Sequence, residues 1–137
     1  MRIEIDDIKN FTGQKIIDIG RILSKDNIPV KNYSINDFDG DLYIKFKNNI
    51  LVLNVLPTIN GDVLNCNVEN FIKDEGLFIP CSFRKELINF IDEIITNVNV
   101  SKNNDEHQYK ISFDFETKNL SFLVINSDEI VVKGGNW

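Results

Sequence analysis

The chain has 137 residues, a formal net charge of −6 and a pI near 4.7. This length predicts a single domain over residues 1–137, and the longest apolar runs are four residues, against the roughly 20 that a membrane-spanning helix needs. Lysine and arginine are dispersed, with no cluster of the kind that neutralises phosphates. We therefore expect neither a membrane nor a nucleic acid as partner.

The first seven residues carry acidic side chains where a secretory signal has a cationic and then an apolar stretch. The expected localisation is therefore cytoplasmic. Because the cytosol keeps thiols reduced, Cys66 and Cys81 are expected to be free and to serve packing rather than to form a disulfide.

The first predicted element is a helix from about Asp7 to Ser24. It rests on apolar residues at roughly helical spacing, namely Ile8, Phe11, Ile16, Ile19 and Leu23. Asp6 is a plausible N-cap, and Pro29 closes the region because the residue before a proline avoids helical dihedrals.

A hairpin is predicted next, from the strict alternation of Leu42–Lys47 and a two-residue turn at Asn48-Asn49. With that turn, Phe46 would pair with Leu51, Ile44 with Leu53 and Leu42 with Val55. Ile50 and Val52 then fall on the opposite face. A third strand alternates over residues 64–68 and places Cys66 on its apolar face.

The second predicted helix runs from Phe83 to about Val98, with Ser82 as its N-cap and one apolar stripe. Residues 99–106 read as a polar loop. A second hairpin follows, with strands near 108–116 and 120–126, a turn at Lys118-Asn119 and Phe115 opposite Phe122. A last strand is predicted over residues 130–133.

The predicted fold class is α+β, with a mainly antiparallel sheet of about six strands, two helices and the order α-β-β-β-α-β-β-β. Short connections between the strands favour antiparallel pairing. The two halves share this order of elements, but we find no repeat at the level of residues.

Residues with catalytic or metal-binding chemistry are few. His107 is the single histidine and has no partners at zinc-site spacing. Asp37–Asp41 resembles part of a calcium loop, but the twelfth residue from Asp37 is Asn48 rather than a bidentate glutamate. We therefore predict no metal, no cofactor and no catalytic site. A small enzyme that uses a carboxylate pair, or Cys81 at a helix N-terminus with His107 as base, remains an alternative.

A protein-binding surface is the remaining expectation. Residues 71–137 contain seven basic and eleven acidic residues, and Leu123 and Ile125 fall on the same predicted outer face as Asp114 and Glu116. Apolar residues with acidic neighbours are typical of an interaction surface. The predicted partner-binding residues are Asp92, Glu93, Asp114, Glu116, Leu123, Ile125, Asp128 and Glu129.

In size, acid excess and lack of catalytic motifs the chain resembles the immunity proteins of bacterial polymorphic and contact-dependent toxin systems. This resemblance implies cytoplasmic neutralisation of one cognate toxin, by covering its active or substrate-binding surface. A cationic toxin domain would suit the charge, with the acidic residues imitating substrate phosphates. The chain also resembles type III secretion chaperones in size, acidity and predicted element order, which implies an effector-binding dimer.

Overall fold

The structure is a computed structural model, and it describes residues 1–22, 33–38, 40–72, 77–103, 105–124 and 129–136, with residue 136 described by its backbone alone. Ten strands are present in this part of the chain. They are β1 (Arg2–Ile3), β2 (Asp18–Ile22), β3 (Leu42–Lys45), β4 (Ile50–Thr58), β5 (Gly61–Glu69), β6 (Phe78–Pro80), β7 (Asn97–Asn103), β8 (Gln108–Asp114), β9 (Lys118–Val124) and β10 (Val131–Asn136).

The strands form two antiparallel sheets that share one hydrophobic core. The first sheet has the order β1-β5-β4-β3-β2-β6, and the second has the order β10-β9-β8-β7. A single cluster of buried side chains includes the inner faces of both sheets, and the rings of Phe46 and Phe113 meet across it with centroids 6.4 Å apart. Helical structure in the described residues is confined to short 3-10 segments such as Ile5–Phe11, Ile35–Asp37 and Ile88–Phe90.

The predicted α+β class with two helices is therefore wrong, and the first error lies in residues 7–22, while Leu23 and Ser24 of the predicted helix lie outside the described residues. The chain forms a 3-10 helix over Ile5–Phe11 and then enters β2. Gly13 separates the two with φ +90°, a conformation that glycine adopts readily and that interrupts a right-handed helix. Ile8, Phe11, Ile16 and Ile19 are all buried as predicted, because a 3-10 turn followed by a strand can bury the same apolar positions as a helix.

The second predicted helix, Phe83–Val98, is also wrong, because a residue with positive φ again interrupts the segment. Turns and the short 3-10 segment Ile88–Phe90 precede Asp92, which has φ +65°. β7 then occupies the stretch predicted as a polar loop. Its β-branched residues fit an extended conformation better than a helix.

Both predicted hairpins exist, but their registers are shifted. In the first, Ile44 lies opposite Leu51 and Leu42 opposite Leu53, a shift of two residues. In the second, Phe113 lies opposite Leu120, a shift of four. An even shift keeps every side chain on its original face, so Cys66 on the third strand and the apolar faces of both hairpins are buried as predicted.

The two halves of the molecule have the same topology. β2 to β5 correspond to β7 to β10, and equivalent turns are closed by equivalent hydrogen bonds. The Phe46 N–H donates to the Asn49 carbonyl at 2.9 Å, and the Phe115 N–H donates to the Lys118 carbonyl at 2.8 Å. The sequence interpretation found no repeat, because the matching positions preserve burial rather than residue identity.

The halves cross at the segments between each 3-10 turn and the strand after it. Lys15 and Ile94 form an antiparallel bridge there. The Gly13 N–H donates to the Ile95 carbonyl at 2.7 Å, and the Asp92 N–H donates to the Ile16 carbonyl at 2.9 Å. Gly13 and Asp92 occupy equivalent positions, so these two bonds are related by the internal pseudo-symmetry.

The outer faces of the two sheets differ. On the first sheet Tyr43, Ile50 and Val52 are buried beneath Ile72 and Phe78, which follow β5. The apolar outer face predicted for the first hairpin is therefore covered by the protein itself. The equivalent positions on the second sheet are Ser112, Asn119 and Ser121, which are polar.

Candidate functional site

Several predicted acidic residues meet at the turn between β8 and β9. The Thr96 N–H and hydroxyl both donate to the Asp114 carbonyl, at 2.7 and 3.0 Å, and tie the segment after Asp92 to the end of β8. Lys118 Nζ lies 3.5 Å from Glu93 Oε1. Glu116 is exposed in the turn itself. One end of the second sheet is therefore acidic, and the Lys118 ammonium group partly neutralises Glu93 there. We call it the acidic end of the second sheet.

Asp114 organises a polar network on the outer face of this sheet. Asn99 Nδ2 donates to Asp114 Oδ2 at 2.8 Å, and Ser112 Oγ lies 3.5 Å from Asp114 Oδ1. Ser121 Oγ lies 3.3 Å from Ser112 Oγ. The four side chains project from three neighbouring strands, so their geometry is fixed by the sheet. Sequence reasoning identified Asp114 but missed its partners, because the pairing of β7 with β8 brings Asn99 to it.

The remaining predicted residues lie elsewhere. Leu123 is half-buried near the far end of β9, where it pairs with Val131, and Glu129 is exposed just before β10. Six residues of strand, roughly 20 Å, separate this end from the acidic turn. The predicted set thus divides into two groups, and Ile125 and Asp128 lie outside the described residues.

A groove of about 520 Å³ lies where the halves cross. Asp92 is the one predicted residue that lines it, beside Gln14, Lys15, Ile17 and Lys47. Ile17 is 46% exposed in the groove wall. Sequence reasoning placed Lys15 and Ile17 in a helix and missed the groove, because the crossing joins residues 79 apart in sequence, as at Lys15 and Ile94.

Cys81 and His107 do not form a catalytic pair. Burial, reinforced by the nearby Glu86 carboxylate, raises the pKa of Cys81 to about 12, so the thiol keeps its proton at neutral pH. His107 packs instead on Gly61, where an added Cβ would lie 2.5 Å from the ring Nε2. The Cys81–His107 form of the enzyme alternative therefore loses its nucleophile and base, and the carboxylate-pair form stays a prediction.

The acidic segment that resembles a calcium loop has a local structural role. The Ser34 N–H donates to Asp37 Oδ2 at 2.6 Å, which closes a capping box on the 3-10 turn. Among the described residues, no three His, Cys, Asp or Glu side chains are grouped to hold a metal ion. In the same part of the chain, no helix is long and apolar enough to cross a membrane.

The resemblance to type III secretion chaperones depended partly on an α-β-β-β-α-β-β order, and the strands and 3-10 turns found here do not follow it. No protein-family model matches this chain, and neither a curated protein nor a solved structure shows significant similarity to it.

Proposed function

We propose that this chain is a non-catalytic protein-binding module that acts in the cytoplasm as an immunity protein. It neutralises a cognate bacterial toxin by covering the toxin's active or substrate-binding surface. The partner is a cationic toxin domain, and the acidic end of the second sheet contacts it.

The Asp114 network is the observation that carries this proposal. The half-buried Asp114 carboxylate is held by Asn99 and Ser112, so it needs no rearrangement before it accepts further hydrogen bonds from a partner. Glu116 extends the same negative surface into solvent. A rigid surface of this kind suits tight binding, because little conformational entropy is lost on association.

The charge of the whole chain supports a cationic partner. A net charge of −6 accelerates encounter with a positive surface and disfavours acidic partners. The acid excess in residues 71–137 concentrates the negative charge in the half that contains the Asp114 network, which supports contact through that half.

The test is co-expression with the toxin domain encoded beside this chain, read out as growth protection and as affinity of the purified pair. The double charge reversal Asp114→Lys and Glu116→Lys is expected to weaken binding at least tenfold, or about 1.4 kcal/mol, and to abolish protection. Asp62→Lys, on a strand of the first sheet, is the matched control and should leave both unchanged.

Thermal unfolding of each variant distinguishes lost binding from lost folding. Full protection by the folded double variant would contradict the assignment of the acidic end. Absence of any interaction between the wild-type chain and the neighbouring toxin would contradict the immunity function itself.

A further inference from the structure

The outer edge of β10 presents backbone groups that no neighbouring strand pairs with in the described part of the chain. Asn36 covers the first of them, because its Nδ2 donates to the Val132 carbonyl at 2.9 Å and its Oδ1 accepts from the Val132 N–H at 2.8 Å. These groups of Val132 therefore point away from β9. Because alternate residues of an antiparallel strand point the same way, the N–H and C=O of Gly134 also face outward. No described residue bonds to them.

The equivalent edge in the first half is occupied. Gly134 corresponds to Val68, since Gly134 pairs with Leu120 on β9 and Val68 pairs with Leu51 on β4. The Val68 N–H donates to the Met1 carbonyl at 2.8 Å, and the Met1 amino group donates to the Val68 carbonyl at 2.8 Å. An extended segment that includes β1 therefore fills the position that is open beside β10.

The β10 edge also has more space beside it than its counterpart. A groove of about 340 Å³ is lined by Glu86, Phe90, Lys118 and Gly134, whereas the matching groove next to Val68 measures about 150 Å³. Two features account for the difference: Ile3 of β1 lines the smaller groove, and Gly134 has no side chain, where a Cβ would lie 2.8 Å from the Phe90 ring. A side chain opposite Gly134 can therefore pack on Phe90.

We propose that the β10 edge at Gly134 binds a short extended segment of a partner polypeptide by strand addition, with one aliphatic side chain of that segment in the Phe90 groove. We assign an extended polypeptide as the occupant because of the equivalent edge of β5. There the backbone of Met1 bonds to both the N–H and the carbonyl of Val68, as a partner segment would bond to Gly134. Asn36 limits the pairing to Gly134 and the residues after it, and the net charge of −6 favours a cationic segment. This inference rests on the proposed function only in taking the partner to be a protein.

The test uses the peptide acetyl-Lys-Thr-Lys-Leu-Lys-Thr-Lys-amide at millimolar concentration and the 15N-labelled full chain. The amide resonances of Gly134 and Phe90 are expected to shift with saturation, and hydrogen exchange at Gly134 should slow at least tenfold. Val68 should be unaffected, because its edge is filled. The same peptide with N-methylleucine lacks the central N–H donor and should bind at least tenfold more weakly. Equal binding of the two peptides, or no shift at Gly134, would overturn the proposal.

Gly134→Pro and Gly134→Ala form a matched pair on the protein side. Both add a Cβ, but only proline removes the N–H, so the proline variant should bind the peptide at least tenfold more weakly than the alanine variant. If neither folds, the N-methyl comparison on the wild-type chain decides. A dimer in light scattering, with Gly134 protected before any peptide is added, would show instead that a second copy fills the edge. Toxin binding without peptide binding would overturn the edge assignment and leave the proposed function standing.

Discussion

Arg21 is a buried residue whose side chain bonds to backbone carbonyls in segments far apart in sequence. Its side chain is 1% exposed, and its guanidinium donates to the carbonyls of Ile35, Gly40 and Ile130. The first two acceptors belong to the segment between β2 and β3, and the third directly precedes β10. A single buried cation therefore connects both halves through carbonyl groups that would otherwise be buried without a donor.

We expect Arg21→Met to lower the free energy of unfolding by about 3–5 kcal/mol, because two buried carbonyls and one half-buried carbonyl lose a charged donor while the side-chain volume is nearly kept. Urea denaturation followed by circular dichroism measures the change. Arg84→Met is the control, since Arg84 stacks at 4.9 Å on the Tyr33 ring near the surface and should cost about 1 kcal/mol or less. Equal losses for both variants would contradict the role given to Arg21.

The buried thiols predict a pH dependence of stability in the alkaline range. Burial raises the pKa of both Cys66 and Cys81 from 9.0 to about 12. Between these values the unfolded chain loses the thiol protons while the folded chain keeps them, so stability is full below pH 9 and falls as pH rises toward 12. The expected slope is about 1.4 kcal/mol per pH unit for each thiol.

Urea titrations from pH 8 to pH 11 on the wild-type chain and on Cys66→Val, Cys81→Val measure this slope. The double variant removes both thiols and should show a shallower dependence. Rapid reaction of either native thiol with a disulfide reagent at pH 8 would contradict their burial.

At the scale of the elements, two residues in equivalent positions turn the chain from a 3-10 segment toward a strand. Gly13 and Asp92 both have positive φ and both donate across the pseudo-symmetry. The sequence offers a glycine at one position and an aspartate at the other, and aspartate is among the residues that tolerate this conformation. The two turns are therefore alike in backbone but different in strain.

We expect substitutions at these two positions to change the free energy of unfolding in opposite directions. Gly13→Ala should destabilise the protein by about 1–2 kcal/mol, although no atom lies within 4 Å of the added Cβ, because the cost is conformational. Asp92→Gly should stabilise it by up to about 1 kcal/mol by relieving positive φ. Thermal and urea unfolding test both, and two changes of the same sign would refute the equivalence of the turns.

The strands were predicted better than the helices, for a physical reason. Alternation over Leu42–Lys47 identifies the buried face of a strand whatever its partner, so an error of two residues in register left that face unchanged. The apolar spacing of Ile8, Phe11 and Ile16 fits a helix and also fits a 3-10 turn followed by a strand. Periodicity alone could not separate these, because positive φ at Gly13 decides between them.

The molecule as a whole has one core made by two sheets. The segment Ile5–Phe11 precedes the strands of the first half but contacts β7 of the second, and Asp6 lies 3.8 Å from Lys102 on that strand. The crossing segments and the shared core leave neither half with a complete interior. We therefore expect the two halves, although they share one topology, to fold as one unit.

We expect residues 1–72 and residues 77–137, expressed separately, each to lack cooperative unfolding, because each exposes the inner face of a sheet. The full chain should unfold in one transition, with coincident curves from near-UV circular dichroism of the buried Tyr43 and Tyr109 and from far-UV circular dichroism. Mixing the two fragments should restore strand signal. A cooperative transition in either fragment alone would contradict the shared core.

By itself, the sequence determined the acidic charge, the strand-forming hairpins and the apolar inner faces of those hairpins, because hydrophobic patterning depends on local order along the chain. It also identified Asp114 and Glu116 as residues of the second hairpin. Only the tertiary structure decided that the two predicted helices are turns, that the halves cross at Lys15 and Ile94, and that the described residues leave the β10 edge unpaired at Gly134. These features depend on hydrogen bonds between residues far apart in sequence, and no local pattern of residues specifies such pairings.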